Sequence, residues 1–268
     1  MDAERSRSGP ASRLMDAQHV DYPHSPHLAQ RPLSDRLVAT LHDTIGGLSA
    51  AGLPLRVLEI GAGHGGYTGH ALAAGCDVTA VEMSEPSFDT LRHRYGSNDR
   101  LRTVLDPAAD LSDAGSGYAL ILAISVLHHI PDYLDLLDRL SARLLPGGAM
   151  LTLQDPLWYP RVSPVTRAAD RGAYLAWRVA QGNVRQGWSA MRRRLRGAYP
   201  VSEEGEIVYY HVVRQGVDER EVLGRLGDRF ADVELLPYWS NHLGAIHRVA
   251  ERAGMRNTFG IRATGFTG

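Results

Sequence analysis

Two carboxylates and a run of glycines form the first group of residues in this sequence with the types and spacing for chemistry. Glu59 stands two residues before Gly61, and Gly63, Gly65 and Gly66 follow. Glycines at such spacing let backbone instead of side chain approach a bound group. Val57-Leu58-Glu59-Ile60 reads as a buried strand ahead of the turn, and Val78-Thr79-Ala80-Val81 as a second strand ending on Glu82. Strand, glycine turn, helix and acid-tipped strand build a pocket for a nucleotide-like cofactor whose ribose hydroxyls the acid accepts. Gly61, Gly63 and Gly66 satisfy G-x-G-x-x-G with Glu82 21 residues after Gly61, which allows a dinucleotide and an NAD(P)-dependent oxidoreductase. The same stretch satisfies E-x-G-x-G-x-G. An acid at position 59 is awkward beside a pyrophosphate and suits a cofactor carrying an ammonium and a sulfonium.

A second group could move a proton. His128 and His129 follow the apolar run Tyr118–Ser125, at the end of a strand where ligands bind in open α/β sheets. Imidazole titrates near 6.5 when unperturbed, which suits a general base. Asp155 closes the next apolar run and has the chemistry to orient an imidazole, bind an acceptor, or cap a turn before Pro156.

The remaining elements must position these groups. Arg102–Asp106 reads as a third strand, also ending on an acid, Tyr118–Ser125 as a fourth and Ala149–Gln154 as a fifth. Leu134, Leu137, Leu140 and Leu144 mark a helix that runs into the stop signal Pro146-Gly147-Gly148. In order, the fragments are E-I-G-A-G-H-G, V-E, L-D, S-V-L-H-H-I-P-D and L-P-G-G-A. Over residues 35–155 the sequence resembles the class I S-adenosylmethionine-dependent methyltransferases. That resemblance implies an α/β fold, a Rossmann-like seven-stranded, mostly parallel sheet with an antiparallel last strand. It implies S-adenosyl-L-methionine as cofactor, with S-adenosyl-L-homocysteine as product. Gly61 and Gly63 would line its methionine part, Glu59 its cationic groups, Glu82 the ribose and Met83 the adenine face. Asp106 would take the adenine amino group, Ile124 would bring backbone against the cofactor, and Tyr22 lies in a segment that folds over it in such enzymes. Many members carry a histidine pair like His128-His129 that only packs the loop.

Five segments follow: a flexible tail 1–20, a segment and helix 21–54 over the cofactor, a core 55–156, a helical lid inserted after strand five at 157–215, and the rest of the sheet at 216–268. The helix from about Pro32 carries Leu33, Leu37, Leu41, Ile45 and Leu48. The lid holds a helix from Pro164 to Ala180 and a second with Val184, Trp188, Met191 and Leu195 on one side and Arg185, Arg192, Arg193 and Arg194 on the other. Asp218-Glu219-Arg220-Glu221 then starts a helix carrying Val222, Leu223, Leu226 and Phe230, ahead of a strand at 232–237, a helix at 240–253 and a strand at 257–265.

Composition sets limits on function. Net charge is −1 and every basic residue is arginine, so no whole-molecule field favours nucleic acid or membrane. No run approaches the 18 or so apolar residues of a membrane span. One cysteine, Cys76, fits a reducing cytoplasm, and no Cys/His spacing suits a metal. Trp158, Tyr159, Trp177, Trp188, Tyr209, Tyr210, Tyr238 and Trp239 cluster near the lid and suggest a small, partly apolar acceptor, methylated on oxygen or nitrogen before carbon. A natural-product tailoring enzyme fits these features, with homodimerisation left open. A non-methylating protein on the same fold is the alternative from another class.

Overall fold

The computed structural model describes residues 25–106, 110–180, 216–241 and 244–268. Among them the chain forms one seven-stranded sheet ordered β3-β2-β1-β4-β5-β7-β6. The strands are β1 Arg56–Ile60, β2 Asp77–Glu82, β3 Leu101–Leu105, β4 Tyr118–Ile124, β5 Leu144–Pro156, β6 Phe230–Tyr238 and β7 Thr258–Phe266. Pairing from β3 through β5 is parallel, and β7 runs antiparallel between β5 and β6. This is the expected mostly parallel sheet with its last strand reversed.

Both faces of the sheet are covered, which is why β4 is buried along its whole length and reads as an unbroken apolar run. On one face lie α1 Pro26–Ala29, α2 Arg31–Ala50, α3 Gly66–Ala73 and α4 Glu85–Tyr95. Leu33, Leu37, Leu41, Ile45 and Leu48 of α2 pack there with Tyr67, Ala71 and Leu91 against Val57, Leu120, Leu151 and Leu153. The helical spacing of those leucines is therefore the spacing of a buried stripe. On the other face, α5 Tyr133–Ser141 and α7 Glu219–Gly227 bring Leu136, Leu137, Leu140, Val222 and Leu226 onto Ile121, Met150 and Ile261. Asp132 caps α5 by accepting from the Asp135 amide, and Asp218 caps α7 by accepting from Arg220 and Glu221. Two further helices are α6 Pro164–Ala180 and α8 Gly244–Arg252.

Two elements depart from the sequence reading. Pro146-Gly147-Gly148 does not precede β5 but lies inside it, because Leu144 already pairs with Tyr118 and the strand makes an excursion before Ala149 meets Leu120. Phe230 opens β6 instead of closing α7, and its ring packs against Phe266 of β7 at 5.3 Å. The helix expected from Pro164 to Ala180 is present as α6, whereas the arginine-rich one lies outside the described residues, as do Tyr209, Tyr210 and the tail.

Candidate functional site

The glycine turn after β1 is held close to the end of the neighbouring strand. Gly61 and Gly63 take φ values of +65° and +55°, which β-carbons disfavour. A Cβ on Gly61 would sit 2.7 Å from Val126 Cγ2, so this glycine is what allows the turn to rest on the segment leading to His128.

Carboxylates crown the adjacent strands, and each is buried. Glu82, 1% exposed, accepts from the amides of Gly63 at 2.6 Å and of Met83 and Ser84 at 2.9 Å, which ties the tip of β2 to the glycine turn. Asp106 accepts from the Leu111 amide at 2.8 Å and the Asp110 amide at 3.3 Å, closing the loop after β3. Glu59 accepts a 2.5 Å bond from the Thr68 hydroxyl of α3. Burial drives its pKa up to about 7, Thr68 opposes that rise, and the charge of Glu82 adds to it. Burial, with Glu59 second, also raises the Tyr67 phenol. Met83 packs into the core with Val81 and Val104, and Ile124 is buried on the opposite face. Tyr22 lies outside the described residues.

These groups fit a donor-rich cation. An ionised carboxylate accepts hydrogen bonds and donates none, so Glu82 and Asp106 match hydroxyl and amino donors, and Glu59 matches an ammonium once its own proton has left. A pyrophosphate bound at the same turn would face the same acids as a like charge.

At the end of β4 the backbone makes a strained step: Ser125 has φ +60° and donates to the Leu153 carbonyl at 2.7 Å. The short 3-10 turn Leu127–His129 follows. Asp155, fully buried, takes His128 Nδ1 at 2.8 Å and the His128 amide at 3.2 Å on one oxygen, Oδ1. The carboxylate thus fixes both the ring and its backbone. An ionised Asp155 leaves the proton on Nδ1, so the neutral ring carries its lone pair on Nε2. The His129 ring lies 3.9 Å from that of His128 at an interplanar angle of 44°. Of the three arrangements open to Asp155 in the sequence, the contact with an imidazole is the one present among the described residues.

Thr68 carries no sequence signal of its own, and the signal of Tyr238 and Trp239, read as aromatics near the acceptor, does not show their burial. Thr68 is an ordinary helix residue until α3 turns it toward Glu59. Tyr238 and Trp239 are fully buried, and Tyr238 bonds to β5 through its hydroxyl. Among the described residues no helix is long and apolar enough to cross a membrane, and no group of His, Cys, Asp and Glu has the arrangement to hold a metal.

Residues 27–198 match the family model described as a methyltransferase domain. The chain belongs to the S-adenosylmethionine-dependent methyltransferases. Among proteins it is similar to, a highly reducing polyketide synthase of Strobilurus tenacellus is 31% identical over 108 residues, covering 37% of this chain and 4% of that protein. A ubiquinone biosynthesis O-methyltransferase of Bordetella avium is 32% identical over 96 residues, 35% of this chain and 39% of that one. The methyltransferase thus spans well under half the length of these relatives. The solved plantazolicin methyltransferase BpumL, in complex with SAH, aligns over 98% of this chain and 96% of its own at 12% identity and a TM-score of 0.57, a likeness of fold.

Glu59 gives the site a pH signature. Its folded pKa, about 7, exceeds the ordinary 4.5, so the folded protein keeps this proton where the unfolded chain releases it. The stabilisation is full below about 4.5 and is lost as pH rises to about 7. Glu59→Gln has no such proton, and its stability relative to wild type is expected to rise across that window by on the order of 3 kcal/mol. Urea unfolding of both proteins at pH 5, 6, 7 and 8 measures the difference, and a constant difference would refute a protonated Glu59.

Proposed function

We propose that this methyltransferase transfers a methyl group to a hydroxyl or amine of a small, partly apolar natural product, with His128 as general base. The observation that carries this reading is the buried contact between Asp155 and His128 beside the glycine turn. S-adenosylmethionine supplies an activated methyl group on a sulfonium. Glu82 accepts its ribose hydroxyls, Asp106 its adenine amino group, and Glu59 stands near its cationic end, with Gly61 and Gly63 offering backbone.

What remains for the protein is alignment and one proton. Holding the acceptor in line is worth about 7–11 kcal/mol of barrier. Nε2 of His128 removes the proton of a hydroxyl or an ammonium, and Asp155 stabilises the imidazolium that results, which is worth roughly 10²–10⁴-fold in rate. His129 lies against the ring in a tilted contact and restrains its rotation. Trp158, with the Arg161 guanidinium 4.5 Å over its ring, and the half-buried Trp177 supply apolar surface on the acceptor side. A ubiquinone-biosynthesis O-methyltransferase and a plantazolicin methyltransferase among the similar proteins support an acceptor of this class. The enzyme so read works on a small molecule without nucleic acid, membrane or metal, in a reducing cytoplasm.

His128→Ala is expected to lower turnover by roughly 10²–10⁴-fold with S-adenosylhomocysteine affinity nearly unchanged. Asp155→Asn should give a milder loss, and the wild-type rate should fall toward acid pH as the imidazole protonates. Single-turnover rates against pH, on phenols and amines found active in a mass-spectrometric screen, decide this. A loss below tenfold for His128→Ala would leave alignment alone as the catalytic device.

Glu82→Ala removes the acceptor for cofactor hydroxyls, two charge-assisted bonds of about 1.5–3 kcal/mol each. Calorimetry with S-adenosylhomocysteine should show affinity reduced by roughly 10²-fold or more. Unchanged affinity in a folded variant would remove Glu82 from the cofactor site.

A further inference from the structure

The direction of Asp155 is not what strand alternation dictates. Ala149, Leu151 and Leu153 of β5 face the α2 side of the sheet, and Met150 faces the α5 side. Continued alternation would put Asp155 beside Leu153, away from His128. The pairing with β7 shows why it does not: Thr152 lies opposite Ile261 and Asp155 opposite Phe259, so three steps on β5 match two on β7. One extra residue is accommodated as a bulge, and Gln154 takes φ +67° within it. Residues opposite one another in an antiparallel pair point to the same side. Phe259 and Ile261 both belong to the α5-side core, so the bulge has turned Asp155 onto that face.

Two groups hold the bulge. Gly260 stands opposite Leu153 and Gln154, where a Cβ would lie 2.5 Å from both the Thr152 carbonyl oxygen and Leu153 Cδ2. The Tyr238 hydroxyl accepts from the Gln154 amide at 2.7 Å and donates to Gln154 Oε1 at 3.3 Å, while Gln154 Nε2 donates to Ser240 Oγ at 2.7 Å. The amide that the bulge removes from the ladder therefore has a partner. Burial, first among the causes, raises the Tyr238 pKa well above 10, so its hydroxyl keeps the proton it donates.

We infer that Tyr238 and Gly260 are positioning residues for the reaction: by fixing the one-residue bulge at Gln154 they aim Asp155 at His128 Nδ1 and so select the tautomer that leaves Nε2 basic. The link to catalysis rests on the reading of His128 as the base. The aiming itself is measurable without turnover.

The test is ¹⁵N NMR of the chain labelled at histidine, at a pH where the imidazoles are neutral, comparing wild type with Tyr238→Phe, Gly260→Ala and Asp155→Ala. Wild-type His128 is expected to be mainly the Nδ1–H tautomer, and Asp155→Ala to lose that bias. Tyr238→Phe, which deletes one oxygen and keeps the ring, should move the tautomer ratio at least halfway to that of Asp155→Ala. Gly260→Ala should move it in the same direction. A wild-type ratio in Tyr238→Phe overturns the inference, whether or not Gly260→Ala folds. The same variants should lose roughly 10–100-fold in kcat with KM for S-adenosylmethionine unchanged. A shifted tautomer with an unchanged kcat would uphold the positioning role and reject His128 as the base.

Discussion

A carboxylate removed from water must find hydrogen-bond donors, and this requirement shapes the working end of the molecule. Glu59, Glu82 and Asp155 on three strands and Asp106 just past a fourth are all buried there. The donors that satisfy Glu82 come from the glycine turn and the start of α4, those of Asp106 from the loop after β3, and that of Glu59 from α3. The loops are wrapped around the acids. A pocket of this kind is preorganised, because each acid is already held by its neighbours.

The same economy of contacts joins the two halves of the site. Gly61 admits Val126 at close range, and two residues later the chain reaches His128. The glycine turn and the turn that carries the imidazole are therefore packed on each other, with the Val126 side chain seated against the bare Cα of Gly61. Bulk added at position 61 would press on Val126 and so be felt two residues later at His128.

Much of this was legible in the sequence, and the reasons are local. The apolar runs of β1, β2 and β4 are short and continuous, and those of β1 and β2 are tipped by glycine and acid, so their positions along the chain follow from pattern alone. The leucine stripe of α2 is equally plain. The reversed β7 followed from the strand–helix–strand ending and the family likeness. Asp155 was visible as a residue but not as a direction, because alternation along β5 points it to the wrong face. Only the pairing of Thr152 with Ile261 and of Asp155 with Phe259, a contact across more than a hundred residues, reveals the extra residue. Gln154 in a left-handed conformation has no compositional signature, since that conformation is usually left to glycine or asparagine. Tyr238 looked like one more aromatic near the acceptor, whereas its hydroxyl serves the backbone of β5.

The antiparallel β7 also sets a timetable for synthesis. β5 ends at Pro156 and its outer neighbour begins at Thr258, so roughly 100 residues are made between them. At 5–20 residues per second that interval is on the order of 5–20 s. Throughout it the outer edge of β5 has no strand to pair with, a state prone to wrong partners. β6 is made earlier but cannot take the place, since its position in the sheet lies beyond β7. The orientation of Asp155 thus waits on a partner strand made roughly 100 residues later, when Gly260 arrives opposite Gln154.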